Sequence, residues 1–134
     1  MGKEEMVAIE ITYRGDLHCE ARHGPSGTGL MTDAPLDNGG RAGTFSPTDL
    51  VATALGTCML TVMGLKARAL GIVIDGARAS IEKEMASAPR MIGRLTAKVQ
   101  VPHALPEPVR KELEQAAMSC PVFQSLSDKI DKQV

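Results

Sequence analysis

The sequence predicts an α+β fold in a single domain, residues 1–134, and three observations carry that reading. Short alternating segments fill the N-terminal third and return over residues 77–101. One long apolar, helix-compatible run lies between them, and two shorter helical segments close the chain. Strands group with strands and helices with helices, without the βα alternation that a doubly wound sheet requires.

The elements follow in order. Met6–Tyr13 alternates well enough for an opening strand, Arg14-Gly15-Asp16 turns the chain, and Leu17–Arg22 returns as a second strand. Gly24-Pro25-Ser26-Gly27 is a further turn before a short strand around Gly29–Thr32, and the Gly-rich stretch Asp33–Thr44 reads as loop. Ser46-Pro47-Thr48-Asp49 then carries a complete helix start: Ser at the N-cap, Pro at the first position and an acid three residues after the cap. The helix is expected to run to about Leu70, where Gly71 stops it. It is apolar almost all the way round, which predicts a buried helix. Residues 77–85 and 95–101 alternate and form a hairpin. Pro106–Met118 is a helix, Ser119-Cys120-Pro121 interrupts it, and Pro121 opens a last short helix to about Asp128.

Composition narrows the function classes. Apolar residues make up 43% of the chain, but there is no Trp, one Tyr and two Phe against eight Met. A Met-rich core fills irregular space well, and a small chain with so few large anchors is expected to complete its burial as a homodimer. Net charge is −1 and scattered, with no basic stripe to suggest nucleic acid. The first six residues carry charge and no apolar run, which argues against a signal peptide. The run Leu50–Leu65 is short for a membrane span and is followed by Lys66 and Arg68. A soluble, cytoplasmic protein is expected.

Three residues could do thiol chemistry: Cys19, Cys58 and Cys120. The odd count argues against a secreted disulfide framework, and no C-x-x-C pair suggests zinc. Cys58 sits mid-helix between small neighbours, Gly56, Thr57 and Thr61, either as a small hydrophobe or as a thiol that a partner can approach closely. Cys120, just before Pro121, is expected at a helix N-cap, where unpaired N–H groups favour a thiolate; a plain capping role is the alternative. Asp49 is nine residues from Cys58, about 13 Å of rise and half a turn out of phase, which makes it a capping acid first. Arg14, Arg22 and Arg90 are the arginines that could pair with a thiolate. His18, Cys19 and His23 make a loose metal set, but His18 and Cys19 would point to opposite faces of a strand, so no metal site is expected.

Phe45-Ser46-Pro47-Thr48-Asp49-Leu50, Ala54-Leu55-Gly56-Thr57-Cys58-Met59 and Ser119-Cys120-Pro121-Val122 with Ser125-Leu126 resemble the OsmC/Ohr family, which includes organic hydroperoxide resistance proteins. His23–Gly27, Thr32–Pro35 and Asp37–Gly40 are similar to one bacterial subgroup. The resemblance implies antiparallel sheets wrapped around long buried helices in an intertwined homodimer. It also implies a thiol peroxidase in which Cys58 attacks the peroxide and Cys120 resolves the sulfenic acid as a disulfide, which a dithiol reduces, with no cofactor. The family's Glu after the helix-opening Pro is Thr48 here, and the acid falls one residue later at Asp49, about 100° round the helix. The family's catalytic Arg finds no aligned residue: His18 falls near it, and Arg14 and Arg22 flank it. Other readings are a non-catalytic module binding a small apolar ligand, and a thiol-disulfide sensor using Cys19.

Overall fold

The computed structural model describes residues 6–134, so residues 1–5 lie outside it. The element order is β1 (Ile9–Gly15), β2 (His18–His23), β3 (Gly29–Asp33), α1 (Pro47–Leu70), β4 (Arg78–Ser87), β5 (Arg90–Gln100), α2 (Glu107–Met118), α3 (Pro121–Ser125) and β6 (Asp131–Gln133). The chain forms two compact units, one reaching to Leu50 and the other running from Val51 to Val134.

The first unit is an antiparallel meander, β1-β2-β3. Asp16 and Leu17 both take positive φ, 53° and 61°, the conformation that suits a two-residue hairpin to the twist of its strands. Register pairs Ile11 with Ala21, and Ala21 with Leu30. Because side chains alternate, Ile9, Ile11 and Tyr13 share one face, and each is more than half exposed. The stretch expected to be loop is ordered around Asp33. Its amide donates to the Phe45 carbonyl at 3.1 Å, and its Oδ2 accepts the Gly43 amide at 3.0 Å. A single 3-10 turn, Leu36–Asn38, follows, and Gly40 has no room for a side chain because a Cβ would overlap the Ala34 carbonyl.

Helix α1 starts as its sequence requires. Ser46 Oγ accepts the Asp49 amide at 3.1 Å and Asp49 Oδ2 accepts the Ser46 amide at 2.9 Å, a reciprocal capping box. It ends with Gly71 at φ 71°, whose amide donates to Arg68 O while Ile72 N donates to Ala67 O. Those two bonds are the Schellman pair, which satisfies the last carbonyls.

In the second unit, Leu55, Met59, Met63 and Ala67 of α1 are buried with Ile92, Leu95 and Ala97 of β5, Leu113 and Ala117 of α2, and Ile130. Gly56 permits a close approach of α1 to β4: a Cβ there would lie 3.0 Å from Ile81 Cγ1. The expectation of a helix buried all round is corrected here, since Thr57, Thr61 and Leu65 are exposed. Length and composition also suffice for α1 to cross a membrane, contrary to the shorter run read from the sequence. A core helix passes the same test, and its buried residues sit in the core. The β4–β5 hairpin falls where the alternation predicts, with an irregularity at Glu84/Met85. The structure adds β6, which pairs parallel with β5, so this sheet is not wholly antiparallel. Arg94 ties the three strands through Asp131 (2.9 Å) and Glu84 (3.7 Å).

Candidate active site

The two cysteines that the sequence singled out come together in the second unit. Cys58 is half-buried on α1, and Cys120 is wholly buried at the N-cap of α3. Both are free thiols, and Cys58 is close enough to Cys120 to perturb its ionisation. Three local features hold Cys120. Its amide donates to Ala117 O at 3.3 Å, closing the end of α2. Its extended backbone (φ −62°, ψ 144°) turns the chain into α3, with Pro121 supplying the first helical position. Its Sγ accepts the Phe123 amide at 3.3 Å.

The expectation that this N-cap favours a thiolate is corrected. Burial pushes the Cys120 thiol up from its ordinary value, and the amide of Phe123 donating to the sulfur opposes that without overcoming it. The neighbouring Cys58 raises it further, by hydrogen bonding and by charge. A five-residue helix has little dipole to offer against full desolvation of a thiolate. The pair is therefore asymmetric: Cys58 is half-buried, and Cys120 is enclosed and held in its protonated form.

Of the supporting candidates, Arg14, Arg22 and Asp49 lie in the first unit and Arg90 in the second. Arg14 and Arg22 both engage Glu20, each through Nη2 at 3.4 Å to one of its two carboxylate oxygens, and Arg22 also donates to Gly27 O at 2.9 Å. Asp49 serves the α1 cap described above. Arg90 opens β5. The loose metal set resolves into separate bonds: His18 Nδ1 meets Asp33 Oδ1 at 2.7 Å, and His23 Nδ1 meets Ser26 Oγ at 2.6 Å. The His18–Asp33 pair escaped the sequence reading because it exists only through the β2–β3 register, in which these two residues are direct partners.

Relatives sharpen this picture. The family model described as OsmC-like protein matches residues 39–134, a span that holds both α1 and the Cys120–Pro121 step. The chain belongs to the OsmC-like family. Its fold is the family's α+β fold. A crystal structure of a protein from Psychrobacter arcticus 273-4, proposed to be an osmotic stress induced and detoxification response protein, is 38% identical, with a TM-score of 0.92 over 100% of this chain and 98% of that one. An organic hydroperoxide resistance protein OsmC from Legionella pneumophila is 16% identical with a TM-score of 0.74, covering 96% of this chain and 94% of its own. An organic hydroperoxide resistance protein from Elizabethkingia anophelis is 15% identical with the same TM-score, covering 99% and 96%. At these identities the last two speak for the fold alone. Among curated proteins, none matches this chain in sequence.

Proposed function

We propose that the protein is a thiol peroxidase that reduces organic hydroperoxides, with Cys58 as the attacking residue and Cys120 as the resolving one. The observation that carries this reading is the asymmetric thiol pair: a half-buried Cys58 beside a Cys120 whose burial keeps it protonated. In the first step the Cys58 thiolate forms a bond to the terminal peroxide oxygen, the O–O bond breaks, and the leaving alkoxide takes a proton to become an alcohol. The resulting sulfenic acid condenses with the Cys120 thiol, forming the S–S bond and releasing water. An external dithiol then returns both thiols by exchange. The balance is one hydroperoxide and one dithiol consumed for one alcohol, one water and one oxidised dithiol.

The apolar side chains near the pair, including Val51, Met59, Val62 and Val122 in the same core, suit an organic hydroperoxide better than H2O2. Turnover needs a compartment that supplies dithiols, and the cytoplasm is the proposed location. A homodimer is proposed as well: Ile9, Ile11 and Tyr13 form an exposed apolar face on β1 that a second copy would cover.

The test is peroxide consumption with dithiothreitol as reductant, comparing cumene hydroperoxide with H2O2 and wild type with Cys58→Ser. The proposal expects fast consumption, faster with the organic peroxide, and its loss in the variant. Equal rates for the two proteins would sink it.

A further inference from the structure

A concavity in the second unit is lined by neither Cys58 nor Cys120. It has a volume of about 1,040 Å3 and lies between the open end of the β4–β5 hairpin and α2. That volume is at the upper end for small-molecule sites. Its deepest lining is apolar, because Met63, Leu113 and Ala117 reach it from the core. Its charged lining differs from one group to the next. Arg110 is paired with Glu114 through Nε at 3.2 Å, and His103 Nε2 is bonded to the Asp75 carbonyl at 2.9 Å. Arg78, an exposed residue, also lines the cavity, and its guanidinium has no hydrogen-bond or ion-pair partner among the described residues.

We infer that this cavity binds a monoanionic amphiphile, a carboxylate carrying an alkyl chain. One uncompensated guanidinium calls for one negative charge, and its planar fork matches a carboxylate through two parallel N–H donors. The buried apolar lining takes hydrocarbon that would otherwise face water. A dianion would leave charge unmatched, and a neutral chain would leave Arg78 as it is now. The site is separate from the peroxidase reading and stands whether or not that reading does.

The experiment is a fluorescence titration of the full-length, reduced protein with 11-(dansylamino)undecanoate, followed by competition with decanoate and with 1-decanol. Saturable binding is expected, with decanoate competing more strongly than decanol. Arg78→Gln removes one charge-assisted contact and is expected to weaken binding about tenfold or more, while Arg78→Lys retains part of it. Arg41→Gln, at an exposed arginine outside the cavity lining, is expected to change nothing. Thermal melts establish that each variant is folded, and Cys58→Ser is expected to bind as wild type does. The inference is overturned if no saturable binding is seen, as when a second copy of the chain covers the cavity. It is also overturned if decanol competes as well as decanoate, or if Arg78→Gln and Arg41→Gln behave alike.

Discussion

Replacing Cys120 by Ser separates the chemistry of the second thiol from its place in the fold. Ser is among the preferred N-cap residues, so its Oγ can take the Phe123 amide that Cys120 Sγ accepts at 3.3 Å. Against that gain stands the cost of enclosing a hydroxyl in a site with no solvent exposure, about 1–3 kcal/mol before its hydrogen bond is counted. The net loss should be about 1 kcal/mol, equivalent to about 3–5 °C in Tm for a chain of this size. The chemistry should change far more. With one equivalent of cumene hydroperoxide and no reductant, wild type is expected to lose two thiols and form the Cys58–Cys120 disulfide. That bond closes a loop of about 60 residues, for which chain entropy gives about 4 kcal/mol of added stability. Cys120→Ser is expected to lose one thiol, hold Cys58 as a sulfenic acid that dimedone captures, and gain no stability. Peptide mapping after dimedone treatment, together with denaturant unfolding of both forms, reads all three quantities. A wild-type disulfide through Cys19, or the absence of a dimedone adduct on Cys58 in the variant, would refute the assignment of roles.

Further outcomes follow from other parts of the molecule. Burial raises the Cys120 pKa in the folded protein above its ordinary 9.0, so the fold holds a proton that the unfolded chain releases. That contribution is whole below pH 9 and is lost as pH rises through the folded value, at no more than about 1.4 kcal/mol per pH unit; unfolding midpoints of the reduced protein should fall more steeply above pH 9 in wild type than in Cys120→Ser. Asp49→Ala removes the acceptor of the Ser46 amide and should cost about 1 kcal/mol in denaturant unfolding. Ile11→Glu places a charge in the middle of the exposed apolar face of β1 and should convert the proposed dimer to monomer by light scattering; an unchanged mass would place the subunit contact elsewhere.

Local chemistry explains which features were readable from residues alone. The α1 start was legible because Ser46 and Asp49 bond each other within four residues, with Pro47 between them at the first helical position. The β4–β5 hairpin was legible because its alternation is long. Strand β6 was not: Asp-Lys-Gln has no apolar pattern, and its place is set by β5 and the Arg94–Asp131 bond, between residues far apart in the chain. The order imposed by Asp33 on the following loop was hidden for the same reason, since glycines signal a turn without naming the side chain that holds it. At the candidate site, position along the chain suggested both cysteines, and the resemblance paired them. It did not reveal that Cys120 is enclosed, and enclosure outweighs the effect of its helix cap. The partner of Arg14 became visible only when the β1–β2 register brought it to Glu20, which Arg22 meets from two residues along the same strand.

The sulfur of Cys120 is at once a helix cap and half of the proposed redox pair, and this sets the voltage at which such a pair would work. A disulfide that adds about 4 kcal/mol to folding is, by the same cycle, favoured by folding to that extent, which lowers its reduction potential by about 85 mV relative to the unfolded chain. The cap pulls the other way. A thiol accepts the Phe123 amide, whereas a sulfur bonded to a second sulfur is a poorer acceptor, and each kcal/mol of capping lost on oxidation raises the potential by about 20 mV. A substitution in the turn from Cys120 to Phe123 would therefore shift which cellular dithiols can recharge the protein, without touching the atom that meets the peroxide.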